Sequence, residues 1–235
     1  GQMTGYAEDV QKDDSVLAQS SSDVHTIRTA TTYTTLGLLK YYADEITYLS
    51  GSTALTVNVQ FGQNGLTAVT PVYDVFGRLG DYYETKRETG AGEGTTLDVT
   101  TITHKAGLNG IGLIGYNDLT GQMTSYREVM AKQGQAEVTT DRSLITYNAH
   151  GFLKTYHDVI TDTATDVTKA IDWTADFADG YNDEGQLTHY EETKLEQAAG
   201  YQITVTTTRS GITYNNEGQM TGYAEDVQKD DSVLA

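Results

Sequence analysis

Five histidines, at 25, 104, 150, 157 and 189, are the side chains of this sequence best suited to acid–base or metal chemistry, and their scatter argues against both. No two stand at helical ligand spacing in a segment that reads as helix, so surface or strand-edge placement is expected. The acidic run Asp176, Asp179, Asn182, Asp183 and Glu184 carries oxygens enough for calcium. Its spacing matches no EF-hand loop, and Asn182 to Gly185 already reads as a turn; calcium stays an alternative partner, and no cofactor is expected. Gly90-Ala91-Gly92-Glu93-Gly94 lacks the Lys-Ser/Thr of a phosphate cradle and reads as a hairpin tip. No nucleophile elbow, no His-Glu-x-x-His and no cysteine occur, so no catalytic or metal-binding residue is assigned and the chain is not expected to be an enzyme.

What does recur is a turn motif: an aromatic, Asn or Asp, two variable residues, Gly, one variable residue, Leu or Met, and then Tyr three residues on. Its clearest copies run from Tyr181 through Asn182, Gly185 and Leu187 to Tyr190, and from Tyr214 through Asn215, Gly218 and Met220 to Tyr223. Tyr147, Asn148, Gly151, Leu153 and Tyr156 follow the same plan, as do Tyr73, Asp74, Gly77, Leu79 and Tyr82. Asn117 reaches Gly121 with one extra residue, Tyr33 reaches Gly37 without the Asn, and Phe61 to Gly65 is a fainter copy. Asn or Asp opening a type I turn bonds its own backbone, and Gly three residues on takes the left-handed conformation that closes a bulged hairpin. Tyr should therefore end one strand and Gly should start the next.

The flanks agree with strands. Leu55 to Phe61 and Tyr201 to Thr206 alternate apolar with polar residues of high β-propensity. Return turns are expected at Gly90 to Gly94, Gln133 to Gln135 and Gln197 to Gly200, with short helical turns conceivable only over Asp81 to Arg87 and Leu195 to Ala199. Leu187 and Tyr190, Leu153 and Tyr156, and Met3 and Tyr6 each stand three apart and so load both faces of a sheet. Tyr82, Tyr156, Tyr190, Tyr223, Leu153, Leu187 and Met220 are the expected packing residues. The fold class is all-β: tandem antiparallel hairpins wound into a spiral, tube or solenoid-like fibre.

Residues 1–18 return letter for letter as residues 218–235, a period of 217 residues. The chain thus reads as one full period over 1–217, with units starting near 1, 37, 77, 121, 151 and 185, followed at 218–235 by the start of the next identical period. Such a chain is expected to be cut from a longer array. A net charge of −18 repels nucleic acid and anionic lipid, and no stretch is apolar enough to insert in a membrane.

The motifs resemble the tyrosine-aspartate repeats of rearrangement-hotspot proteins, teneurins and insecticidal toxin complexes. Tyr73-Asp74-Val75-Phe76-Gly77-Arg78-Leu79 carries that family's Tyr-Asp-x-x-Gly-Arg-Leu intact, while other copies use Asn for Asp and Gln for Arg. The resemblance implies a spiral ribbon of hairpins that in that family can enclose a hollow shell. The units here are longer than that family's, and no self-cleaving core segment is visible. The expected role is a structural repeat of an extracellular or cell-surface filament, tube or sheath whose partners are neighbouring copies of the same repeat. The alternatives are an adhesin-type repeat holding glycan or calcium, and a toxin-encapsulating shell.

Overall fold

The structure, a computed structural model, describes residues 5–12, 22–50, 53–92, 95–165 and 167–232. Gly1, Met3 and the Glu93-Gly94 part of one expected return turn lie outside the described residues. The chain falls into two compact units, residues 1–106 with 129–136, and residues 107–128 with 137–235.

The first unit holds β1 (Tyr6–Lys12), β2 (Ser22–Tyr33), β3 (Leu39–Ser50), β4 (Thr53–Phe61), β5 (Gln63–Asn64), β6 (Thr67–Ala68), β7 (Val72–Tyr73), β8 (Leu79–Gly92) and β9 (Thr95–Ala106). Its main sheet is antiparallel in the order β1-β2-β3-β4-β8-β9, with β7 on β8, while β5 and β6 pair apart as a small hairpin. The second unit holds a 3-10 turn (Leu108–Gly110), β10 (Gly115–Tyr116), most of β11 (Met123–Lys132), β12 (Val138–Tyr147), β13 (Leu153–Asp162), β14 (Val167–Thr174), β15 (Tyr190–Ala198), β16 (Tyr201–Tyr214) and β17 (Met220–Ser232). Its strands from β12 to β17 pair in simple sequence order, each antiparallel to the next. This is a meander of hairpins, the topology that strands joined by tight turns reach without crossovers.

The two segments with some helical character in sequence are strands. Asp81 to Arg87 lies within β8 and Leu195 to Ala198 within β15, paired on both sides over Glu84 to Arg87 and Leu195 to Gln197. Cross-strand partners outweigh the helix propensity of Glu, Lys and Arg there. The next strand also begins two residues after the motif glycine, at Leu39, Leu79, Met123, Leu153 and Met220, and not at the glycine itself. The Phe61 to Gly65 stretch does not form the hydrogen-bonded turn of the other copies. Gly62 turns the chain out of β4 into the β5–β6 hairpin, which is tied down by Gly65 N–H donating to Thr85 Oγ1 (2.9 Å) and Thr85 donating to the Gln63 carbonyl (2.8 Å).

Each sheet buries little completely. Val57, Phe61 and Ala106 in the first unit, and Ile114, Ile145, Ala175 and Ile212 in the second, are the buried apolar side chains among the described residues. Most strand residues are half-buried on both faces, so stability rests on cross-strand pairs more than on a thick core.

Candidate functional site

The motif turns share one hydrogen-bond scheme. At Asn182 the N–H donates to the Gln186 carbonyl, the Gly185 N–H returns to the Asn182 carbonyl, both at 3.0 Å, and the side-chain oxygen accepts the Gln186 N–H at 2.7 Å. Asn215, Asn148 and Asp74 repeat this with Gly218, Gly151 and Gly77. Asn117 closes on Gly121 one residue later, its oxygen accepting from Leu119 and Thr120, and Thr34 stands in for Asn before Gly37. The closing glycines all have φ between 72° and 86°, where a Cβ is strained.

Successive turns are stacked on one another. The Tyr181 hydroxyl donates to the Leu153 carbonyl (2.7 Å), Tyr214 donates to Leu187 (2.7 Å) and Tyr73 to Leu39 (2.5 Å). In each case the tyrosine before one glycine is latched to the second residue after the previous motif glycine. Phe152 lies against both Gly185 and the Tyr181 ring, and Gln186 lies against Gly218, so the residue after one glycine roofs the next.

The tyrosine five residues after each motif glycine lines one face of the sheet and forms a ladder with a cation or aromatic ring from the returning strand. In the second unit it runs Tyr126, Arg142, Tyr156, Trp173, Tyr190, Arg209, Tyr223. Arg142 stands 5.8 Å from the Tyr126 ring and 4.0 Å from Tyr156. Tyr156 and Trp173 stack at 5.4 Å and Trp173 and Tyr190 at 6.1 Å; Arg209 lies 5.6 Å from Tyr190 and 4.3 Å from Tyr223. In the first unit the sequence is Tyr6, Arg28, Tyr42, Phe61, Tyr82, at 5.2, 4.0, 5.4 and 5.4 Å. Tyr82 then faces Lys105 in register. Each guanidinium also meets a carboxylate directly across the next strand pair: Arg28 with Asp44 (two bonds of 2.6 Å), Arg142 with Asp158 (two of 2.6 Å) and Arg209 with Glu225 (Nε at 3.0 Å). No family model, curated protein or solved structure matches this chain.

Sequence reasoning did not single out Arg28, Arg142, Arg209, Trp173 or the acids, and it placed Phe61 in a turn motif, not in the ladder. A signal was there: the seventh residue after every motif glycine is acidic (Glu8, Asp44, Glu84, Glu128, Asp158, Glu192, Glu225). Of the expected packing residues, Tyr82, Tyr156 and Tyr190 are rungs of the ladder, while Leu153 and Leu187 are half-buried latch acceptors. Met220 and Tyr223 are about half exposed, because among the described residues β17 pairs with β16 alone.

Burial, then the Glu84 and Asp44 carboxylates, push the Tyr42 hydroxyl up to about 12 against the opposing pull of Arg28. Burial also raises Tyr73 and Tyr181, and it raises Tyr156 against Arg142. Asp158 holds Arg142 well above its ordinary range.

The histidines do not converge. His104 bonds Asp81 (2.9 Å) and stacks on Tyr83, His157 bonds Asp172 (2.7 Å), and His189 bonds Asp179 (2.9 Å) and stacks on Phe177. In the acidic run, Asp176 pairs with Lys154 at 2.7 Å, Asp179 with His189, and Asn182 belongs to its turn. No group of three or more potential metal-ligating side chains gathers among the described residues. The groove beside Asn58, Gln60 and Thr100 contains Arg87, but Asp98 neutralises it through two 2.8 Å bonds. Chemically, the repeated arrangement cross-links strands; its charged groups are spent on one another.

Proposed function

We propose that this chain is a structural repeat segment of a long extracellular filament, tube or sheath, wound from tandem β-hairpins and free of catalysis. The observation that carries the reading is the ladder. The same tyrosine follows every motif glycine, a rung from the returning strand packs on it, and the next period begins on the same letters as the one before it. Identical letters can make identical contacts, so each period can hand the sheet to the next with the same step. Each rung contributes about 0.5–1.5 kcal/mol as an aromatic pair and about 0.5–2 kcal/mol as a cation over a ring. Many modest, regularly spaced terms suit a load-bearing ribbon better than a few large ones. An acidic exterior at −18 per chain keeps such ribbons apart in solution.

Electron microscopy of a chain carrying three consecutive periods tests this. Unbroken rods that lengthen by one equal step per added period are expected. Independent beads on a flexible string would refute the reading in favour of an adhesin repeat. The Asp74–Arg78 motif copy, with Arg78 Nε on Asp74 at 2.6 Å, favours a second reading, the hollow shell of the resembled repeats. It predicts a closed particle with a cargo segment inside.

A further inference from the structure

One strand sequence occurs twice in the structure, as β1 in the first unit and within β17 in the second, 217 residues apart. Among the described residues β1 pairs only with β2 and β17 only with β16. The two copies therefore display two halves of one environment. Tyr223 meets Arg209 at 4.3 Å, and its counterpart Tyr6 meets Arg28 at 5.2 Å. A methyl group on Gly222 would meet Thr213 Oγ1 at an ordinary 3.4 Å, whereas one on the counterpart Gly5 would lie 2.7 Å from the Arg28 carbonyl oxygen. Glycine at this place is needed on the β2 side and not on the β16 side, although β17 keeps it. Tyr223 and Val227, on one face of β17, are left 49% and 55% exposed.

We propose that β17 of one copy displaces β1 from β2 of a second copy, in the register that sets Tyr6 opposite Arg28, and so joins copies head to tail. The proposal rests on the structural-repeat reading and adds to it an assembly route between separate chains. Because the incoming strand has the same letters as the one it replaces, the ladder on β2 is conserved. The gain is a strand paired on both edges and a tyrosine ring held between two guanidiniums; the opposing term is the entropy of association, so the junction forms with rising concentration.

The chain has no cysteine, so disulfide trapping reads the register directly. Ala7 faces Ile27, and Ala224 is the counterpart of Ala7. Opposed strand positions lie within disulfide reach at Cα separations of about 4.5–5.5 Å. Full-length Ala224→Cys, carrying a size tag, is mixed with full-length Ile27→Cys under mild oxidation. A heterodimer whose yield rises with concentration is expected. With Asp226→Cys in place of Ala224→Cys, two residues out of register, the yield should fall to background. Adding Gly222→Ala to the Ala224→Cys chain should abolish the heterodimer without moving that chain's own unfolding midpoint. An Ala7→Cys/Ile27→Cys chain closing its internal disulfide checks that position 27 folds. No heterodimer, equal yield out of register, or indifference to Gly222→Ala would overturn the proposal. If three-period chains are still rods, strand exchange alone fails; if they are beads, the underlying reading fails.

Discussion

Leu144 occupies a left-handed backbone position, with φ of 53°, that Gly211 fills at 59° in the matching bulge of β16. The surrounding letters are otherwise the same, Arg-Ser-x-Ile-Thr-Tyr-Asn from Arg142 and from Arg209, and both bulges bury the isoleucine, Ile145 or Ile212. Left-handed backbone costs a leucine about 1–2 kcal/mol, while glycine loses about 0.5–1 kcal/mol in unfolded-state entropy. Leu144 is 70% exposed and has little packing to lose. Leu144→Gly should therefore raise stability by about 0.5–1 kcal/mol, and Gly211→Leu should lower it by a similar amount, in denaturant titrations. Arg142 carries a heavier penalty: the side chain of Asp158 is 5% exposed and depends on it. Arg142→Ala should cost about 3 kcal/mol, and Arg142→Met with Asp158→Leu should recover most of that loss. Recovery no greater than with Asp158 intact would show that the carboxylate is hydrated. Such rungs are hard to read in sequence because Arg28 and Asp44, or Arg142 and Asp158, stand 16 residues apart and meet only once register is fixed.

At the scale of elements, the turns are legible because Asx–x–x–Gly is local chemistry, complete within five residues. The strand count per unit is less so, since insertions lie between the rung residue and the next motif tyrosine. Arg142 precedes Tyr147 by five residues, but Phe61 precedes Tyr73 by twelve, with the β5–β6 hairpin between. Pairs between strands and loops also set how the hairpins titrate. The hydrogen bond from Arg127 lowers the Asp141 carboxyl, with the Asn109 N–H adding to it; Arg87 lowers Asp98, and His189 lowers Asp179. Folded carboxyls below their unfolded value stabilise fully above about pH 4, and that stability is lost as pH falls through and below it. Tyrosines act in the opposite sense. The folded values of the buried hydroxyls of Tyr42, Tyr73, Tyr156 and Tyr181 are raised, so the stability they contribute is complete below about pH 10 and lost as pH rises toward the Tyr42 value of about 12. Phenolate absorbance should rise together with loss of β-sheet circular dichroism, and Tyr42→Phe should shrink the alkaline step. An alkaline step of unchanged size in Tyr42→Phe would contradict the burial of that rung.

At the scale of the whole molecule, the 217-residue period and the all-β class are readable from the letters, because identity over 18 residues and period-two alternation need no structure. The division into two compact units is not: it depends on which strands contact one another, and no linker, proline cluster or change of composition marks it. The central claim is that the strand at 220–232 is an interior strand of a continuing sheet, and the single period shows it paired with β16 alone among the described residues. Hydrogen exchange of its amides, compared between this chain and a chain of two consecutive periods, tests that most directly. The account predicts that in the longer chain alternate amides of Tyr223 to Lys229, which face no partner strand in the dilute, monomeric single period, become as protected as those facing β16. Unchanged exchange at those amides would contradict it, because the second period would then begin a separate sheet.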